Sequence, residues 1–378
     1  MKKVFSFIRR EAVLCCSAVL ALVSMCWAPP STVYFTYIDW RVLALLFCLM
    51  LVVAGWRTLG LFQVLGAVLI RYAHSLRGLS LVFVGLCFFS SMMITNDVAL
   101  LTFVPFTIAV LSEVGLTGRL IHVVVLETIA ANLGSMMTPI GNPQNLFLFS
   151  QSGWTAGHFL LWMLPLTFVS LLAIGILLWL QPNLSFPPTS MEAEPERSLD
   201  TVVRSWRFWL YLGLFLLCLA NVLHFIGYGL VFLLVTVCTV LVDRKLLCQV
   251  DYCLLLTFIC FFLFIGNVQE LHGVRTLLSD LISGRELWMG VAVSQVISNV
   301  PAAMLLSGFT TDYADLLWGV NIGGLGTLIA SMASLISYKA YMLTKEAAAG
   351  RYLLVFSAYN GVLLVLLCGV AALLGGGS

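Results

Sequence analysis

The chain has 378 residues, of which 61% are hydrophobic and 10% charged, with a net charge of +2. A soluble domain carries about a quarter charged residues. Here apolar runs of about 20 residues recur instead, which excludes a soluble globular protein and marks an all-α polytopic membrane protein.

In chain order, MKKVFSFIRR and VLCCSAVLALVSMCWA read as a first membrane helix, about 11–28, within an N-terminal unit 1–37. A signal peptide is the weaker reading, because further spans follow at once. Spans are expected at 38–56, 157–180, 206–222, 226–242, 250–266 and 352–375. Two amphipathic pieces, 60–76 with Arg71, His74 and Arg77 and 267–285 with Glu270, His272, Arg275 and Asp280, read as interfacial. The proline-rich stretch 181–200 opens a cytoplasmic linker, 181–205, between two halves, 38–180 and 206–378.

Length singles out the rest. The run 80–111 is too long for one straight span and too short for two, with arms of about 15 residues, or ~22 Å, on either side of Thr95-Asn96-Asp97. The economical reading is a re-entrant hairpin. The run 286–309 repeats it around Ser298-Asn299-Val300-Pro301. The run 118–150 would measure about 50 Å as one helix, and TPIGNPQN, 138–145, breaks it. Non-helical backbone at membrane depth is tolerated only where it is buried in protein or lines a watery cavity. A second broken helix is expected at 314–343, with its break at Ala330-Ser331-Met332-Ala333-Ser334, which has neither glycine nor proline.

With the N-terminus in the cytoplasm and both hairpins non-crossing, nearly all Lys and Arg fall inside. Only Arg41, Arg275 and Arg285 fall outside. The tryptophans, Trp56 and Trp154 among them, fall near span ends. The halves then have opposite orientations, and NLGSMMTPIGNPQNL (132–146) aligns without a gap on NIGGLGTLIASMASL (321–335). Inverted repeats with discontinuous helices are the mark of secondary transporters, with the site at the midplane.

Each feature has a bland and a functional reading. Asn96 or Asp97 caps the second arm, either for structure alone or to present a partly positive helix end to an anion while freed carbonyls hold a cation. Asn142 and Pro143 form an N-cap and first-turn proline, and Gly141 allows close backbone approach. The alternative is a proline kink. Asp97 is the candidate for binding a cation or proton. Glu127 is either a second coupling residue or a wetted helix-end residue. Lys339 either snorkels or balances an anion. Ser331 and Ser334, opposite Asn142 and Asn145 in the repeat, either line a site or let helices pack. No H-E-x-x-H, G-x-S-x-G or spaced acid pair is present, so no enzyme and no cofactor is expected. The eleven cysteines are scattered through apolar segments without a C-x-x-C pair and imply neither a disulfide frame nor a metal site.

TNDVALLTFVP, GSMMTPIGNPQN and SNVPAAMLL resemble the ion transporter superfamily, which includes arsenite permeases, sodium–proton antiporters and citrate or dicarboxylate carriers. The likeness spans about 38–376 and is strongest to anion permease-like bacterial inner-membrane members. It implies substrate bound between hairpin tips, coupling to Na⁺ or H⁺, and a transport domain moving against an often dimeric scaffold. On this chain it implies site residues Thr95, Asn96, Asp97, Gly141, Asn142, Pro143, Asn145, Ser298, Asn299 and Pro301, with a Na⁺ near Asn96 and Gly141. The break at Ser331 departs from the glycine- and proline-rich pattern, and Asp97 departs from the neutral tip of dicarboxylate carriers toward the arsenite-permease branch. The expected function is a secondary carrier of a small inorganic or carboxylate anion in the bacterial inner membrane. The alternative is a Na⁺/H⁺ antiporter without organic substrate. No nucleic-acid partner is expected.

Overall fold

A computed structural model of the chain describes residues 11–70, 73, 75–185 and 198–375. Arg71, His74, the basic residues Lys2, Lys3, Arg9, Arg10 and Arg197, and 186–197 of the linker lie outside the described residues. The described residues form helices and no strands, joined once by an isolated bridge between Ser75 and Ser185. Six helices are long and apolar enough to cross a membrane, as expected of a polytopic protein.

The helices run α1 (Ala12–Ser24), α2 (Tyr34–Tyr37), α3 (Trp40–Thr58), α4 (Leu61–Ile70), α5 (Leu76–Ile94), α6 (Asn96–Glu113), α7 (Leu120–Ser135), α8 (Pro143–Ser152) and α9 (Ala156–Trp179). The second half holds α10 (Leu199–Arg204), α11 (Trp206–Val222), α12 (Tyr228–Asp243), α13 (Tyr252–Gln269) and α14 (His272–Ile282). It ends with α15 (Glu286–Ile297), α16 (Asn299–Ser307), α17 (Tyr313–Ile322), α18 (Met332–Met342) and α19 (Ala349–Gly375).

Both hairpins fold back on themselves. Phe83 of α5 meets Phe106 of α6 edge to face at 5.7 Å. Thr310, just past α16, donates to Glu286 at the start of α15 at 2.8 Å. The first hairpin corrects the length argument. Its arms have 19 and 18 residues, about 28 and 27 Å at 1.5 Å per residue, and each is long enough to span. The reason is local: the Ser75 hydroxyl accepts from the Gly78 amide, so the first arm starts at an N-cap five residues before position 80. The second hairpin keeps short arms, of 12 and 9 residues.

The break between α7 and α8 lies where it was expected. The second break is displaced. The unwound stretch runs from Gly323 to Ser331, and Ala333 and Ser334 are already helical. Gly323, Gly324 and Gly326 do the unwinding, and Gly326 takes a φ of 102°, which only glycine adopts freely. The second break is therefore glycine-rich after all.

Helix α7 is the axis of the fold. Every residue of Leu120–Ser135 except His122 is buried, as a helix apolar all round requires. Gly134 makes this possible, because a Cβ there would run into the Phe88 carbonyl and the Ser91 hydroxyl. Helix α14 exposes Arg275 and Asp280. Trp56 does not join an aromatic belt. It is buried against Phe215, ring centres 5.1 Å apart.

Candidate functional site

Each hairpin turns on one residue. Thr95 has φ 70° and ψ 150°, and Ser298 φ 79° and ψ 154°, conformations that L side chains reach only with strain. Bonds made by the next residue hold that strain in place. The Asn96 amide donates to the Gly141 carbonyl at 3.2 Å, and the Asn299 amide to the Ala330 carbonyl at 2.9 Å. Asn96 Oδ1 accepts from the Asp97 amide at 3.0 Å, and Asn299 Oδ1 from the Val300 amide at 2.9 Å. The N-cap positions themselves are Thr95 and Ser298, whose side chains make no capping bond; each asparagine, the first helical residue of its arm, instead satisfies the next amide. Thr138 Oγ1 donates to the Met92 carbonyl, and Thr327 Oγ1 to the Gln295 carbonyl. Each break is thus stitched to the tip of its own hairpin by the same bonds at aligned positions.

At the first break, Asn142 Oδ1 accepts from the Asn145 amide at 2.9 Å and caps α8 ahead of Pro143. Asn145 Nδ2 donates to the carbonyls of Met136 and Thr138 at 3.0 and 3.1 Å. Carbonyls freed by the break are therefore answered inside the fold. Gly141 is required because a Cβ would strike the Ser135 carbonyl.

The two breaks meet. Asn142 Nδ2 donates to Asn321 Oδ1 at 3.1 Å, and Ser331 Oγ donates to Asn132 Oδ1 at 3.0 Å. The pairing is reciprocal, because Asn132 aligns with Asn321 and Asn142 with Ser331. Asn321 Nδ2 adds a bond to Asn145 Oδ1 at 2.7 Å, and Asn96 Nδ2 one to Asn132 Oδ1 at 3.0 Å. Asn132 Nδ2 and Ser334 Oγ are buried without a partner among the described residues. This polar knot sits among residues almost wholly buried. Asn132 and Asn321 were missed as site residues. The signal was an asparagine in each apolar helix just before its break.

Beside the knot lies a cavity of about 130 Å³, bounded by Thr95, Asp97, Ile140 and Pro143 and walled by α3. Arg57, Gln249 and Asp251 also line it. Asp97 is half-buried, and its carboxylate makes no hydrogen bond among the described residues. Near the second tip, next to Val296, Ile297 and Ile329, lies a cavity of about 520 Å³ with no charged lining residue, walled mainly by α1, α13 and α14. Val300, which aligns with Asp97, is buried and is not among the residues lining it.

The structure thus divides the residues expected at the site. Asn96, Asn142, Asn145 and Ser331 join the knot, while Thr95, Asp97 and Pro143 face the charged cavity, with Gly141 behind them. Ser298, Asn299 and Pro301 are buried at the second tip. Lys339 is exposed in the last turn of α18 and lines neither cavity. Glu127 stands apart and is not a wetted end residue: it is 0% exposed, because α5 and α6 both pack over it.

The chain matches the model of a citrate transporter family, CitMHS, over residues 2–337. It is similar to inner membrane protein YbiR of Escherichia coli, 33% identical over 80% of each chain. It is similar to uncharacterized transporter MJ0456 of Methanocaldococcus jannaschii, 32% identical over 85% of this chain and 86% of that one. A shorter stretch, 35% of this chain and 27% of the other, is 33% identical to silicon efflux transporter LSI3 of rice.

Proposed function

We infer the function of this chain from the premise that it belongs to the CitMHS citrate transporter family. It is a multi-pass membrane transporter and not an enzyme. Beyond that, we propose a secondary carrier that moves a small anion or oxyanion by alternating access, coupled to Na⁺ or H⁺, with its N-terminus in the cytoplasm of a bacterial inner membrane. The observation that carries this reading is the reciprocal pairing of the two breaks, Asn142 with Asn321 and Ser331 with Asn132. Reciprocity of this kind arises when two segments face each other across a two-fold relation, and it supports an inverted repeat with a shared central site. The names of the relatives agree in class: one family is named for citrate, and one relative for silicon efflux.

In this reading Asp97 binds the coupling cation, with Thr95 and the first break forming the rest of the pocket, and Arg57 offers the anion a countercharge. The helix starts at Asn96 and Pro143 turn amides toward the centre, where an anion is stabilised. One observation favours the alternative of a Na⁺/H⁺ antiporter: Asp97 and Asp251 together outnumber Arg57 in the cavity.

Reconstituted protein separates these. Citrate and arsenite serve as probe anions in vesicles under an imposed Na⁺ or pH gradient. Gradient-driven accumulation of either supports the carrier. Exchange of Na⁺ for H⁺ with no anion present supports the antiporter. Passive equilibration indifferent to both gradients would rule out coupled transport.

A further inference from the structure

Glu127 is a buried acid that the carrier reading leaves unused. It lies near the middle of α7 and is 0% exposed. Its Oε1 accepts from Thr107 Oγ1 of α6 at 2.5 Å and lies 3.8 Å from Cys87 Sγ of α5. Its Oε2 is buried with no partner. The phenol of Tyr352, itself fully buried on α19, lies near enough to feel its charge. Glu127 has no ion pair among the described residues. Thr107, Cys87 and Tyr352 are thus the hydroxyl and titratable groups that face it, and none carries a positive charge.

A carboxylate sealed from water, with one oxygen bonded and the other bare, lacks the partners that buried charges have. A carboxylic acid fits the same place: one oxygen accepts from Thr107 and the other carries the proton. The position adds a second point. Both arms of the first hairpin close on this one side chain, so any shift of the hairpin against α7 changes its access to water.

We propose that Glu127 is a proton-binding site distinct from the Asp97 cavity, loaded and unloaded as the first hairpin shifts against α7. The step balances simply: the Oε2–H bond breaks to leave the carboxylate, and the proton passes to water admitted by the shift. The use made of that proton rests on the carrier reading, but its binding does not.

Infrared spectroscopy tests the binding alone, on full-length protein in nanodiscs, without any substrate. The carbonyl stretch of a protonated carboxyl should be present, titrate with bulk pH, and shift in heavy water. It should survive in D97N and vanish in E127Q. Thr107→Val removes the bond on Oε1 and should move the band without abolishing it, which keeps the test sound if E127Q misfolds. A band that neither titrates nor exchanges would make Glu127 a static structural acid and overturn the proposal. So would spectra with no band sensitive to Glu127 or Thr107. Either result leaves the carrier reading standing, since gradient-driven uptake is measured separately.

Discussion

At the first hairpin tip the residue after the asparagine is Asp97; at the second it is Val300. The backbone around them is nearly the same, with a strained Thr95 or Ser298 followed by Asn96 or Asn299, whose amide is bonded to the break. The cavities differ sharply: one has Asp97, Arg57 and Asp251 on its walls, and the other is apolar throughout apart from Cys16. Geometry is duplicated while chemistry is not. Of the two tips, only the first has charged side chains on the wall of its cavity. The threonines repeat the lesson. Thr107 and Thr310 occupy equivalent places after the tips, and each donates to a buried glutamate. Glu127 comes from the central helix and Glu286 from the hairpin's own first arm.

The sharpest way to break this comparison is to equalise the tips. D97N should reduce gradient-driven uptake in proteoliposomes to background and leave the melting temperature within a few degrees. V300N, its mirror, should leave uptake unchanged. Equal loss in both variants would mean that the tips act as a symmetric pair.

The next effect is structural. Gly141 aligns with Ala330, and only at Gly141 does a Cβ strike backbone. G141A should cost about 3 kcal/mol, as overpacking does, whereas A330G should cost about 1 kcal/mol or less. Thermal unfolding in detergent reads both, and a stable G141A would mean that the first break has room to shift.

The knot comes third. N321A leaves several buried partners unsatisfied, each worth about 1–3 kcal/mol, and should destabilise more than N132A, whose amide nitrogen is already unpartnered. A double-mutant cycle of N142A with N321A should show coupling of about 1 kcal/mol. Strict additivity would mean that their 3.1 Å contact contributes nothing.

The smallest change concerns the tips themselves. T95G and S298G relieve a positive φ and should each shift stability by no more than about 1 kcal/mol in either direction, strain relief offsetting chain entropy. Markedly different responses of the two would show that one tip is held far more tightly than its twin.

Much of this was legible in the residues. TPIGNPQN announces its break, because proline, glycine and capping asparagines have no place in a helix passing through lipid. The second break was misplaced because the ungapped alignment drew attention to Ser331, where the helix resumes, and away from the GGLG that unwinds it. The first hairpin's arms were cut short because Ser75 looks like loop in a hydropathy pattern, though its hydroxyl starts a helix. Glu127 was the hardest. Its neighbours in sequence do not reveal that Cys87 and Thr107, from two other helices, seal it from water. The knot was half visible: the repeat aligned Asn132 with Asn321, but only the fold brings each against the opposite break.

The burial of α7 has a consequence for biogenesis. At 16 residues it is about 24 Å long, and it holds both Glu127 and Asn132. An acidic residue at a helix centre costs about 3 kcal/mol on translocon-insertion scales. Such a segment is a poor candidate to leave the translocon alone. It should be admitted to the bilayer together with the hairpin that precedes it, so a ribosome-stalled fragment ending after Ser135 should insert α7 only when α5 and α6 are intact.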